Sequence, residues 1–160
     1  MIRNFVLAAV VCSLAAPACA LDGVSVEGGR SSDDDLNLAR LGLQWKGARQ
    51  WYYWDLSFGG WTGGHGHVYD LSVTPVFRWA KSGGSPYLEA AVGAHVLSDL
   101  DVGTGKDFST RFQFGDHLGA GVRFGNYDLG VRLQHLSNGG LRNPNPGINF
   151  LILRLQYSLG

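Results

Sequence analysis

Two residues in this chain have the types and spacing to do chemistry together, His135 and Ser137. With one residue between them they share a face of any extended strand, about 6.6 Å apart along it, close enough for an imidazole to hydrogen-bond a hydroxyl. A serine beside a histidine base is the smallest apparatus for acyl transfer: the imidazole takes the hydroxyl proton and the oxygen attacks an acyl carbon. On these residues alone a second reading stays open, an interfacial histidine and serine tolerated at the edge of a β-structure.

Their setting is unusual. Segment 127–135 alternates Tyr127, Leu129, Val131 and Leu133 with Asp128, Gly130, Arg132 and Gln134. Continuing the apolar row by twos gives His135 and then Ser137, so two polar residues break a row that would otherwise face hydrocarbon. Polar groups are costly there, which suggests a site at a polar–apolar boundary. Counting back from Leu151 along the apolar row of the next segment gives Asn149. Its amide oxygen can accept from the other imidazole nitrogen and fix the tautomer, the task of the third member of a triad. Asn138 and the Gly139–Gly140 backbone follow the serine directly and can donate to an oxyanion.

The elements that must position these residues are strands. Period-two alternation recurs over 22–29, 38–46, 51–59, 68–79, 86–97, 117–124, 127–135 and a last segment from Leu151 to Leu159. The polar faces repeat Asp55, Asp70, Arg78, Glu89, Arg123, Arg132 and Arg154 at mid-strand positions, as a polar, side-chain-filled lumen requires. The apolar faces carry Trp45, Trp79, Phe124 and Tyr157 near strand ends, like an interfacial girdle. The pattern predicts an all-β chain, an eight-stranded antiparallel transmembrane β-barrel, with a soluble sandwich as the alternative. Connections 47–50, 81–85 and Gly125–Asn126 are short, whereas 30–36, 60–67, 98–111 and 138–147 are mostly longer. Outer-membrane barrels have short periplasmic turns and longer external loops, so the end of the seventh strand is expected to face the exterior. The chain ends in Gly160 instead of an aromatic residue; Leu155, Tyr157 and Leu159 keep part of the terminal pattern.

Residues 1–20 have the zones of a secretory signal, with Arg3, an apolar run from Phe5 to Ala16, and small residues up to Ala20. Cleavage before Leu21 is expected, leaving 21–160 as one barrel domain. Both cysteines, Cys12 and Cys19, fall in the signal, so the mature chain has no thiol for a disulfide, a metal site or a nucleophile. Thirteen basic and thirteen acidic residues balance, which gives no reason to expect nucleic acid as a partner. His65-Gly-His67 lacks a nearby third ligand, and Asp33-Asp34-Asp35 with Asp99, Asp101 and Asp107 read as solvated acidic loops. No metal and no cofactor is expected. Whether the chain forms a homodimer is not legible.

The stretch His135-Leu-Ser-Asn-Gly-Gly-Leu-Arg-Asn-Pro-Asn-Pro-Gly-Ile148 resembles the C-terminal signature of the lipid A 3-O-deacylase family. Arg40-Leu-Gly-Leu-x-Trp45, Leu71-Ser-x-x-Pro-Val-Phe77 and Gly119-Ala-Gly-Val122 extend the similarity through the mature chain. The resemblance implies an outer-membrane hydrolase of a Gram-negative bacterium that removes the ester-linked 3-hydroxyacyl chain at position 3 of lipid A. Lipopolysaccharide would be its substrate, outer-membrane lipids its surroundings, and its site would face the outer leaflet. It implies His135 as general base, Ser137 as nucleophile, and Asn138 with Gly140 as the oxyanion hole, with Phe114 and Asn145 supporting. The family pattern has an acid, typically Glu, where this chain has Asn149. An amide can orient imidazole but adds no negative charge, so a non-catalytic barrel with a structural or adhesion role is the alternative. Asp116, in a Phe114-x-Asp116 pattern that also resembles the family, shares the outward parity of Leu118 and is a candidate surrogate acid.

Overall fold

The computed structural model describes residues 21–32, 34–63, 66–101 and 105–160. The expected signal 1–20, with Cys12 and Cys19, lies outside the described residues, as do Asp33 and His65. The strands are β1 (Gly23–Ser31), β2 (Asn37–Lys46), β3 (Tyr52–Gly63), β4 (Gly66–Ala80), β5 (Tyr87–Leu97), β6 (Phe112–Phe124), β7 (Tyr127–Ser137) and β8 (Ile148–Ser158). Each pairs antiparallel with its sequence neighbours, and β1 pairs with β8 to close the barrel.

Alternation explains the closure. Along β7, Leu133 is 64% exposed while its neighbour Gln134 is 4% exposed, and the same contrast runs round the barrel in Leu41, Leu88 and Leu118. A soluble sandwich would bury those leucines between two sheets; here they form the outer wall, as a lipid-facing band requires. The inner row carries charge in closely paired groups. Glu27 lies 2.6 Å from Arg132, 3.3 Å from Arg40 and 3.2 Å from Arg154. Glu89 joins Arg132 at 3.0 Å and Arg78 at 2.6 Å, and accepts a hydrogen bond from the Tyr53 hydroxyl at 2.7 Å. Asp55 meets Arg154 at 3.0 Å and Asp70 meets Arg40 at 2.9 Å. Buried charges persist only when paired in this way. At the rim of the short turns Asp22 accepts from the Lys46 backbone N–H at 2.6 Å, and this bond, with the ammonium of the same lysine 3.0 Å away, holds the carboxyl below the usual carboxylate range.

Two features depart from the sequence reading. The lumen is not polar throughout: its outer end is an apolar plug of Leu36, Leu38, Trp61, Val68, Leu97, Phe108, Leu136, Ile148, Phe150 and Ile152. Period-two reading misses it because β8 begins Ile148-Asn-Phe-Leu-Ile-Leu, apolar on both faces, and because Phe108 enters from the 98–111 connection. The Trp61 ring lies 6.1 Å from Phe108 and 5.1 Å from Phe150. Below the plug, Arg40, Ser57, Ser72 and His117 line a space of about 10 Å³.

The second departure concerns the connections. Most of 60–67 is strand, since Trp61 pairs with Val68 and both bury into the plug. That burial outweighs the weakening effect of glycine on a strand. β6 likewise starts at Phe112, not 117, and β7 runs on to Ser137. The remaining long external segments are 98–111 and 138–147.

Candidate active site

Pairing across three strands places the candidate residues in one row. Asp116 on β6 is directly opposite His135 on β7, and His135 is directly opposite Asn149 on β8. The row beneath is Leu118, Leu133 and Leu151, so the polar row caps an apolar wall. His135 Nδ1 lies 2.7 Å from Asn149 Oδ1. With the amide oxygen accepting, Nδ1 carries the proton and Nε2 keeps its lone pair, the tautomer a general base needs. Ser137 stands two residues further out on the same face, opposite Phe114. Directly opposed residues have Cβ atoms about 4.5–5.5 Å apart; no hydrogen bond joins Asp116 to His135 among the described residues.

The height of this row matters for the chemistry. β7 runs 11 residues from Tyr127 to Ser137. At about 3.4 Å per residue and a tilt of about 40°, that climb is roughly 26 Å, against about 25 Å for the apolar band of such barrels. Tyr127, Phe124 and Tyr157 pack together at the lower end, where an aromatic girdle belongs. His135 and Ser137 therefore sit at the opposite interface, where an acyl chain meets its headgroup.

The loop after the serine is tightly built. Gly139 and Gly140 both have positive φ, 64° and 79°, and the Leu141 N–H donates to the Asn138 carbonyl at 3.2 Å, so Asn138–Leu141 is a turn that needs glycine at both central positions. The fully buried Asn138 side chain is its strut: Nδ2 donates to the carbonyls of Arg142 (2.8 Å) and Phe108 (3.3 Å), and Oδ1 accepts from the Gly140 N–H (2.9 Å). The Asn138 N–H donates to Asn145 Oδ1 at 2.9 Å. Both donors expected to serve an oxyanion are thus engaged within the loop. The loop closes at Gly147, φ 62°, where a methyl in place of hydrogen would come within 2.8 Å of His135 Cε1. The imidazole rests on that glycine.

A family profile described as "Lipid A 3-O-deacylase (PagL)" matches residues 37–158, from the start of β2 to the end of β8. The chain belongs to the lipid A 3-O-deacylase family. It is 37% identical over 123 residues to the lipid A deacylase PagL of Pseudomonas aeruginosa, a match covering 68% of this chain and 70% of that one. To the lipid A deacylase PagL of Bordetella bronchiseptica it is 40% identical over 93 residues, 58% of this chain and 51% of the relative. The crystal structure of the outer membrane enzyme PagL superposes with a TM-score of 0.78 at 33% identity, covering 84% of this chain and 98% of that one. Neisserial surface protein A, at 12% identity and TM-score 0.54 over 84% of this chain and 92% of its own, shares the fold alone. The 3-O-deacylase barrel of this chain is therefore an outer-membrane protein.

In this member of the 3-O-deacylase family the sequence reading brought together His135, Ser137, Asn149 and Asp116, and the fold sets them in neighbouring positions. It does not single out Gly147, although the motif contains it; a glycine one residue before a strand start is the available signal, and its contact with His135 is visible only in the fold. Nor did it identify Phe108, whose backbone carbonyl helps hold Asn138 and whose ring fills the plug. His67 is exposed on β4, and among the described residues no three potential ligands converge on a metal site.

Proposed function

We propose that this barrel hydrolyses the ester-linked 3-hydroxyacyl chain at position 3 of lipid A, with His135 as base and Ser137 as nucleophile. The hydrogen bond from His135 Nδ1 to Asn149 Oδ1, made at the outer end of a lipid-facing row, is the observation that carries this reading. Ser137 Oγ gives its proton to His135 Nε2 and attacks the ester carbonyl carbon. The oxyanion is held by the Gly139 and Gly140 backbone N–H groups of the turn that Asn138 braces, where the Gly140 N–H exchanges its Asn138 Oδ1 acceptor for the substrate oxygen. Collapse breaks the bond to the sugar oxygen, which takes the proton from His135. A water molecule deprotonated by His135 then attacks the acyl-serine, releases the 3-hydroxy fatty acid and restores Ser137.

Asn149 orients the imidazole in this scheme, and Asp116 supplies the negative charge that an amide lacks. Phe114 supports the turn by packing against Gly139, where an added methyl would lie 2.9 Å from its ring. Asn145 supports it through the Asn138 N–H.

The test uses purified barrel in detergent with lipopolysaccharide and mass spectrometry of lipid A. Loss of one 3-hydroxyacyl group, abolished in a folded Ser137→Ala variant, is the expected result. No loss over a range of pH and detergents would leave a non-catalytic barrel.

A further inference from the structure

Three external segments meet at one ammonium group. Lys106, in the 98–111 connection, lies 2.7 Å from Asp34 Oδ2 in the β1–β2 connection and 3.3 Å from the Gly147 carbonyl in the loop that carries the site. The pair is largely withdrawn from solvent, with side-chain exposures of 23% for Lys106 and 10% for Asp34. Asp34 is itself pinned, since its N–H donates to Ser31 Oγ at 2.7 Å and the Ser31 hydroxyl donates back to its carbonyl. The same connection touches the site on its other side, where the Ser32 N–H donates to the Asn149 carbonyl at 3.0 Å.

Gly147 makes this convergence relevant to the chemistry. Its α-carbon packs on the edge of the His135 ring so closely that a methyl would meet Cε1 at 2.8 Å and Nε2 at 3.3 Å. The Asn149 hydrogen bond holds one side of the imidazole and leaves its tilt about that bond free. The Gly147 backbone is the surface that limits the tilt, and Gly147 precedes β8, outside the sheet's own hydrogen bonding.

We propose that Lys106 is a positioning residue for the hydrolytic site: its ammonium, fixed by Asp34, holds the Gly147 carbonyl and so keeps the Gly147 backbone seated against the His135 ring. The inference rests on the hydrolytic reading above for its kinetic test. Lys106 need not touch substrate. A misplacement of about 1 Å in a reacting group costs about 100-fold in rate, so a latch that prevents it acts on kcat.

The experiment compares Lys106→Met, Lys106→Arg and Asp34→Asn in the folded barrel. Lys106→Met is expected to lower kcat by about ten- to a hundredfold with KM changed by less than about threefold. Asp34→Asn moves kcat the same way. Lys106→Arg recovers most of it, because a guanidinium keeps donors for both acceptors. An unchanged kcat overturns the proposal, and so does a raised KM at constant kcat, which would make Lys106 a contact for lipid phosphate. Resonances of the His135 ring read the same contact without turnover: in Lys106→Met the Nε2 and Cε1–H signals should shift as the Gly147 backbone leaves that edge of the ring, while Nδ1 keeps its proton on Asn149. If the wild-type barrel shows no hydrolysis the reaction falls, while unchanged ring resonances in the variant would overturn the latch. Should Lys106→Met fail to fold, Asp34→Asn carries both readouts.

Discussion

His135 Nδ1 and Asn149 Oδ1 lie 2.7 Å apart across the β7–β8 pair, at positions directly opposite in the ladder. An amide oxygen in that place selects the tautomer that a base needs and adds no charge to steady the imidazolium. Tautomer and charge are separable here. In the serine protease triad, replacing the acid by an amide costs about 10⁴ in kcat because the tautomer is wrong; the contact in this barrel has the acceptor on the correct side.

Asn149→Glu therefore tests charge alone. It should raise kcat by about tenfold, since a carboxylate stabilises the imidazolium formed in the transition state. Asn149→Leu removes the acceptor and should lower kcat by at least about 100-fold. Initial rates of 3-hydroxy fatty acid release give both values, and an unchanged rate in Asn149→Leu would remove Asn149 from the site.

Asp116, directly opposite His135 on its other side, should matter most when Asn149 is neutral. Asp116→Asn is expected to cost about tenfold in kcat alone and clearly less in the Asn149→Glu background, because interacting sites are not additive. Equal losses in both backgrounds would show that the two positions do not share a task.

Gly147→Ala should abolish activity in a barrel that still folds. The methyl meets His135 Cε1 at 2.8 Å, and φ at this residue is 62°, a conformation that costs non-glycine residues about 1–2 kcal/mol. Heat-modifiable gel migration reports the fold and lipid A mass spectrometry the activity; retained activity would mean that the ring does not depend on this backbone.

Glu27→Gln should destabilise the barrel by about 3–5 kcal/mol, the range for removing one partner of a buried ion pair. Glu27 lies within 3.3 Å of three arginines, Arg40, Arg132 and Arg154. Urea titration followed by gel migration measures the loss. A change under about 1 kcal/mol would show that Asp55, Asp70 and Glu89 absorb the freed charge.

Sequence alone determined which residues face lipid and which face the lumen, because a strand has only two faces and the medium on each side differs. That placed His135, Ser137, Asn149 and Asp116 on one outward surface, and it set the number of strands. Tertiary structure decided what parity cannot reach. Strand register brought Asp116, His135 and Asn149 level, since alternation fixes a side chain's face but not its partner on the next strand. Burial of Trp61 and Val68 carried β3 and β4 through a stretch that reads as loop. Above all, the packing of Asp34, Phe108, Lys106, Asn138 and Gly147 arises where three connections meet. Irregular segments have no period, so their contacts are set by the closed barrel that brings their ends together.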